Sequence, residues 1–147
     1  MKNFNIYYAD DDVEDLEIFH DAIKYVSKQI KSKITIHLHS KGEDLIENIS
    51  KNKVENPLVF LDLYMLPKTG LQLLTDIRNF SNLKSLPVIM FSTFDKAEDV
   101  TLSYKLGANV YATKPNTFQD MIQIISNLVT INWEEHQITS NGFVFKL

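Results

Sequence analysis

The sequence has no cysteine, a single arginine and only four glycines. Without cysteine there is neither a disulfide framework nor a thiolate metal site, which suits a reducing cytoplasm. Arginine is the usual side chain for gripping phosphates, so one arginine and a net charge of −4 argue against a nucleic-acid surface. The glycines are too few and too scattered for a dinucleotide fingerprint or a P-loop.

The sequence also lacks a hydrophobic run that could span a bilayer. The longest run, around residues 57–66, is interrupted by Asp62. The N-terminal stretch MKNFNIYYADDD has no apolar segment of the kind found in signal peptides. We therefore expect a cytoplasmic protein that does not bind membranes. A length of 147 residues, 44% of them hydrophobic, predicts one domain with an ordinary core.

Short runs of β-forming residues alternate with segments of helical periodicity along the chain. The predicted strands cover residues 4–9, 33–39, 56–62, 86–92 and 109–113. The predicted helices cover residues 13–30, 42–50, 70–80, 95–107 and 116–131, and Gly107 is well placed to end the fourth. This alternation predicts an α/β fold: a doubly wound, five-stranded parallel sheet. The strand order 2-1-3-4-5 fits best, because the alternating polarity of residues 33–39 suits an edge strand.

The last sixteen residues, 132–147, lie outside the five β–α units. The pair Asn141 and Gly142 could form a tight hairpin turn, or the segment could run as an extended strap. We divide the chain into a domain of residues 1–131 and a C-terminal extension of residues 132–147. The extension is expected to pack on the domain or at a dimer interface. It is too short to fold as an output module, so any output is expected to pass through a partner.

Polar side chains follow the predicted strands at their carboxyl ends, where open α/β sheets carry their chemistry. Asp10 and Asp11 follow the first strand, and Asp62 ends the third. Ser92 ends the fourth strand, and Lys114 follows the fifth. Because the carboxyl ends of parallel strands meet at one edge of the sheet, we expect these five side chains to converge.

Asp62 is the most informative of these residues, because a carboxylate in an apolar run carries a large energetic penalty unless it is compensated. Two carboxylates about 4 Å apart repel by roughly 4 kcal/mol at an effective dielectric constant near 20. Clustered carboxylates are therefore expected to bind a cation, and their hard oxygens suit Mg²⁺. Lys114 can neutralise part of the remaining charge. Asp12 is better explained as the N-cap of the first helix.

These residues resemble the receiver domain of two-component response regulators over residues 4–130. The acidic pair, the aspartate of the third strand, the hydroxyl after the fourth strand and the Lys114-Pro115 pair all match that family. Ser92 lies 30 positions beyond Asp62, and Lys114 lies 52 positions beyond it, which are usual offsets for the family. Pro67 departs from the pattern, since it comes one position later than the usual proline of the following loop.

The resemblance implies a flavodoxin-like receiver fold and a phosphoacceptor role for Asp62. The phosphoryl group would come from a sensor histidine kinase or a phosphotransfer protein. Asp10, Asp11 and Asp62, with the backbone carbonyl of Tyr64, would hold Mg²⁺. Such a protein catalyses only its own phosphorylation and dephosphorylation, so we do not expect an enzyme that acts on a separate substrate.

The resemblance also assigns residues around the phosphoryl group. Ser92 would donate a hydrogen bond to it, Lys114 would pair with it, and Tyr111 stands where the family has its aromatic switch residue. Tyr64 and Phe94 occupy the positions that modulate hydrolysis, and their bulk implies a long-lived phosphorylated form. Phosphorylation would switch a surface formed by residues 95–131, which would bind an unknown downstream protein or a second copy of the chain.

Two alternative functions share this layout. A phosphatase of the haloacid dehalogenase type also uses Mg²⁺ and an aspartate at a strand end, but it needs a second acid where this chain has Tyr64. A flavodoxin-like FMN carrier needs a hydroxyl- and glycine-rich phosphate loop after the first strand. Here that loop is DDDVED, which would repel a phosphate group.

Overall fold

The computed structural model describes residues 2–147, which contain five helices and six strands. The strands are β1 (Asn3–Ala9), β2 (Lys33–His39), β3 (Pro57–Leu61), β4 (Val88–Ser92), β5 (Val110–Thr113) and β6 (Val144–Phe145). The helices are α1 (Val13–Ile30), α2 (Gly42–Lys51), α3 (Gly70–Asn79), α4 (Ala97–Lys105) and α5 (Phe118–Val129). Each predicted helix and strand is present, with ends that differ from the prediction by a few residues.

The strands form one parallel sheet in the order β2-β1-β3-β4-β5-β6. The doubly wound α/β fold, the order of the first five strands and the edge position of β2 are confirmed. The five-stranded prediction was one strand short, because the tail adds β6. Val144 and Phe145 pair in parallel with Tyr111 and Ala112 of β5. Residues 137–140, before Asn141 and Gly142, form no strand that could pair with β6, so the hairpin alternative is wrong and the tail runs along the sheet edge as a strap.

Side chains on the two faces of the sheet form two separate cores. One face packs against α2, α3 and α4, and Tyr7 and Ala9 of β1 point into it. The other face packs against α1 and α5, and Ile6 and Tyr8 point into that one. Successive residues of a strand alternate between faces, so the chain that leaves β1 continues this alternation toward the functional edge. Because both faces of the sheet are covered by apolar side chains, polar side chains can gather only where the strands end.

Arg78, the single arginine, has a structural role at the opposite end of the sheet. Its guanidinium donates hydrogen bonds to the carbonyl oxygens of Leu83, Leu86 and Gly107, and to Oδ1 of Asn109. These contacts connect α3 to the loop before β4 and to the loop between α4 and β5. Gly107 follows α4 with a φ of +96°, as predicted for the residue that ends this helix.

The tail packs against the domain at three points. The indole N–H of Trp133 donates to the carbonyl of Leu128 at 3.0 Å. Phe143 is buried and its ring packs edge-on against Tyr104, at 5.3 Å between ring centroids. Near the end of the chain, Lys146 forms an exposed ion pair with Asp95. The division of the chain at residue 131 and a dimer interface that involves the tail stay predictions.

Among residues 2–147, no helix combines the length and apolar character needed to cross a membrane. The cytoplasmic location stays a prediction.

Candidate functional site

Three carboxylates converge where β1 and β3 end. The two strands are hydrogen-bonded neighbours, and the backbone N–H of Asp62 donates to the carbonyl of Ala9 at 3.0 Å. One oxygen from each of Asp10, Asp11 and Asp62 lies within 4.8 Å of the others. Asp10 and Asp62 are buried, whereas Asp11 is exposed. The structure thus brings together the three carboxylates that the sequence analysis grouped.

Lys114 lies directly after β5, and its ammonium contacts three carboxylates. Its Nζ is 2.7 Å from Oδ2 of Asp10, 3.0 Å from Oδ2 of Asp15 and 3.4 Å from Oδ1 of Asp62. The side chain is only 5% exposed. The backbone N–H of Lys114 donates to the carbonyl of Ser92 at 2.7 Å, which fixes the end of β5 against β4. An ammonium has three protons, so these three carboxylates match its donor capacity.

The charges of the cluster do not balance. The cluster contains four carboxylates and one ammonium, and the burial of Asp10 and Asp62 adds to the cost of keeping them ionised. Burial raises the pKa of Asp62 to about 6, with a further increase from Asp10, although Lys114 acts in the opposite direction. Burial also opposes the charge of Lys114, but Asp10 and Asp62 outweigh it and raise the pKa of the ammonium. The excess negative charge and the hard oxygen donors fit a divalent cation such as Mg²⁺.

Asp10 is held by partners on both of its carboxylate oxygens. The hydroxyl of Tyr8 donates to Oδ2 at 2.5 Å, and the backbone N–H of Asp12 donates to Oδ1 at 3.0 Å. Burial raises the pKa of Tyr8, and the adjacent Asp10 raises it further, so the hydroxyl keeps its proton and remains a donor. Asp12 caps α1 by accepting from the N–H groups of Glu14 and Asp15, as predicted.

Two further residues of this cluster, Tyr8 and Asp15, were not predicted from the sequence. Tyr8 lies two residues before Asp10 on an extended chain, so both side chains leave the same face. Asp15 lies in the first turn of α1, three residues after the N-cap residue Asp12. Those spacings were available in the sequence, but without the position of Lys114 nothing distinguished Asp15 from an ordinary first-turn acid.

Ser92 and Tyr111 are both linked to the backbone of Phe94. Ser92 is buried, and its Oγ accepts from the N–H of Phe94 at 3.2 Å. Tyr111 is also buried, and its hydroxyl donates to the carbonyl of Phe94 at 2.5 Å. The ring of Tyr111 therefore points into the domain, and its role as a switch stays a prediction. Phe94, in the loop between β4 and α4, thus links the two residues, because its N–H contacts Ser92 and its carbonyl oxygen contacts Tyr111.

Tyr64 and Phe94, two exposed aromatic residues, follow the strand ends that carry Asp62 and Ser92. Their ring centroids are 5.6 Å apart in an edge-to-face arrangement. The hydroxyl of Tyr64 donates to the carboxylate of Asp99 in α4, which raises the pKa of Tyr64 to about 12. The two rings thus connect the loop after β3 with the loop before α4. The metal-ligand role of the Tyr64 carbonyl stays a prediction.

The loop after Asp62 is held close to the cluster. The bond between Leu66 and Pro67 is cis, and the N–H of Leu66 donates to Oδ2 of Asp11 at 3.1 Å. A Cβ at Gly70 would lie 2.2 Å from the backbone oxygen of Asp62, so only glycine permits this approach of α3. The loop with its late proline therefore still reaches back to the acidic pair.

A parallel sheet in this order, with convergent carboxylates and a buried lysine at its carboxyl edge, defines the receiver class of α/β proteins. Comparison with known families gives the same class, because the sequence profile of the response regulator receiver domain matches residues 8–126. The chain belongs to this family. Membership favours the receiver interpretation over the phosphatase and flavin-carrier alternatives.

Several curated proteins are similar to part of the chain. Response regulator Rcp1 of Synechocystis sp. is 31% identical over 78 residues, which are 53% of this chain and 53% of Rcp1. The probable methanogenesis regulatory protein FilR2 of Methanothrix harundinacea is 27% identical over 71 residues, 48% of this chain and 46% of FilR2. The chain spans about half the length of these two relatives.

Solved structures resemble the whole domain. The Mn²⁺-bound form of response regulator Rcp1 has a TM-score of 0.70 at 22% identity and covers 93% of this chain and 99% of its own. Response regulator RPA3017, from red-light signalling in R. palustris, has a TM-score of 0.76 at 24% identity. The match covers 92% of this chain and 99% of RPA3017. The phosphorylated cyanobacterial phytochrome response regulator RcpA has a TM-score of 0.75 at 22% identity. The match covers 92% of this chain and 97% of RcpA. At these identities the likeness establishes the fold.

The raised pKa of Asp62 predicts a pH-dependent gain in stability for Asp62→Asn. A carboxyl whose pKa rises from 3.8 to about 6 on folding favours the folded state below pH 3.8 and loses that contribution as the pH rises through 6. At about 1.4 kcal/mol per pKa unit, the variant should gain up to about 3 kcal/mol at pH 8 and little at pH 4. Urea unfolding in a metal chelator measures both values.

The control for this experiment is Asp12→Asn, which keeps a capping side chain and lies outside the buried cluster. Its effect on the free energy of unfolding should be small at both pH values. An equal effect of Asp62→Asn at pH 4 and pH 8 would mean that the Asp62 carboxylate is not strained by burial.

Proposed function

We propose that the chain is a phosphorylation-activated switch in which Asp62 accepts a phosphoryl group from a phosphohistidine. The donor is a sensor histidine kinase or a phosphotransfer protein, and the reaction depends on Mg²⁺. The observation that carries this proposal is the buried carboxylate of Asp62, held between the acidic pair and the ammonium of Lys114. A membership in the receiver family supports it.

The transfer needs a nucleophile, a cation site and donors for the phosphoryl oxygens. With a pKa near 6, Asp62 is ionised at neutral pH and attacks phosphorus as a carboxylate. The bond from phosphorus to the histidine nitrogen breaks as the bond to Asp62 forms, and the donor imidazole takes up a proton. Lys114 and Ser92 then donate hydrogen bonds to the phosphoryl oxygens. The protein thereby modifies itself and turns over no separate substrate.

Asp10, Asp11 and Asp62, with the backbone carbonyl of Tyr64, would hold the Mg²⁺ ion. Its chemistry is charge neutralisation, which lets an anionic phosphoryl group approach an anionic carboxylate. Asp10 already accepts three hydrogen bonds, and these fix its orientation toward the site. Asp11 accepts only from the N–H of Leu66 and is exposed, so it presents the more accessible carboxylate.

Acetyl phosphate, a small phosphodonor, should label the protein only when Mg²⁺ is present. Asp62→Asn should abolish the label, because the nucleophile is lost, and Asp11→Asn should raise the Mg²⁺ concentration needed for half-maximal labelling. Intact-protein mass spectrometry detects the phosphoryl group. Asp12→Asn is the matched control and should label like the wild type. Labelling that persists in a chelator, or in Asp62→Asn, would contradict the proposed function.

A separate prediction concerns the lifetime of the phosphorylated form. The edge-to-face pair of Tyr64 and Phe94 limits the approach of an attacking water, so we propose slow autodephosphorylation. Tyr64→Asn and Phe94→Ala should each accelerate loss of the phosphoryl group several-fold. Leu102→Ala, which shortens an exposed apolar side chain elsewhere on the surface, should leave the rate unchanged. Equal decay rates in all four proteins would rule out shielding by the aromatic pair.

The third prediction concerns the output surface, which we propose to be residues 95–131 together with the tail. Ser92 and Tyr111 share Phe94 as a hydrogen-bonding partner, so a movement of Ser92 toward a phosphoryl group alters the loop that leads into α4. Beryllofluoride with Mg²⁺ should therefore change hydrogen-exchange protection across residues 95–131, and the change should shrink in Ser92→Ala. A response confined to the loop after Asp62 would exclude this surface. Dimerisation through it would appear as a larger mass in light scattering.

A further inference from the structure

The ammonium of Lys114 contacts one carboxylate that the proposed function does not use. Asp15, in the first turn of α1, lies 3.0 Å from Nζ, closer than Asp62 at 3.4 Å. The side chain of Asp15 is 35% exposed, whereas that of Lys114 is 5% exposed. The pair is therefore not a surface ion pair of the weak kind, because its cation is almost entirely buried.

The surroundings leave the ammonium few other ways to be oriented. The rings of Tyr8 and Phe91 flank it, with centroids 5.7 Å and 5.9 Å from Nζ. Aromatic faces attract a cation but do not direct its individual N–H bonds. The direction of those bonds is set by the carboxylates. A contact with Asp10 alone would fix one N–H bond but would still let the flexible lysine side chain swing about that contact.

Two anchors remove that freedom. Asp10 is rigid, because Tyr8 and the backbone of Asp12 hold it, and the backbone of Asp15 is fixed in the first turn of α1, where its N–H donates to Oδ1 of Asp12. With two of its protons directed to Asp10 and Asp15, a tetrahedral ammonium has one proton left, which points toward Asp62. That third contact is the longest of the three, so it is the one most readily exchanged for a phosphoryl oxygen.

We propose that Asp15 is a positioning residue for phosphorylation: together with Asp10 it holds Lys114 so that one N–H faces the phosphoryl group on Asp62. Asp15 does not touch the phosphoryl group or the metal ion. The inference rests on the proposed function, since a positioned ammonium matters only if Asp62 is the acceptor.

The test compares the affinity for beryllofluoride, a mimic of the phosphoryl group, at saturating Mg²⁺ in four proteins. Asp15→Ala removes the anchor and should weaken binding by about three- to tenfold, the range expected for a partly exposed charge-assisted hydrogen bond. Asp15→Asn keeps an acceptor oxygen and should recover most of the affinity. Glu14→Ala removes an exposed carboxylate from the same helical turn without contacting Lys114, and should bind like the wild type.

Unfolding in urea separates positioning from a structural role. Loss of an acid near the start of α1 is expected to lower stability modestly for both alanine variants. If Asp15 only stabilises the helix, Asp15→Ala and Glu14→Ala should both lose stability and should bind beryllofluoride with the same affinity. That result would overturn the inference. If the wild type itself binds no beryllofluoride and accepts no phosphoryl group, the proposed function fails instead.

Discussion

The contact between the Lys114 ammonium and its three carboxylates is the interaction on which the functional edge depends. Lys114 follows β5, Asp10 follows β1, Asp62 follows β3, and Asp15 lies in the first turn of α1, so one side chain connects four separate elements. Removal of a single partner from such a buried cluster leaves charge without compensation, which costs more than the pair contributes. The strand order matters for the same reason, because it brings these ends to one place.

The buried carboxylate of Asp62 opposes the stability of the fold. A carboxylate with a pKa near 6 is held in its charged form against the preference of its surroundings. An apolar side chain at that position would suit the adjoining core better, since Leu61 and Leu63 on either side are fully buried. The site therefore carries unfavourable electrostatic energy that a bound cation would relieve. The two cores provide the stability that makes this tolerable.

The sequence predicted the parts of the molecule that follow from periodicity. The β–α alternation predicted the sheet. The positions of the strand ends predicted that Asp10, Asp62, Ser92 and Lys114 would all lie at one edge of it. It did not predict β6, because a two-residue strand has no period and its pairing depends on a distant edge. Asp15 escaped for a similar reason: its partner lies 99 positions away, and a helix start rich in acids conceals one that has a specific contact.

The backbone pairing of the tail with β5 also affects how the protein behaves at high concentration. An uncovered edge strand presents free N–H and C=O groups on which another chain can add a strand, and this is a common route to aggregation. Here β5 is buried on both sides by β4 and β6, and the outermost strand on that side has only two residues. So short a template offers little backbone for a neighbouring molecule to extend. The strap thus shortens the open backbone at this edge of the sheet, whereas the seven-residue strand β2 forms the other edge.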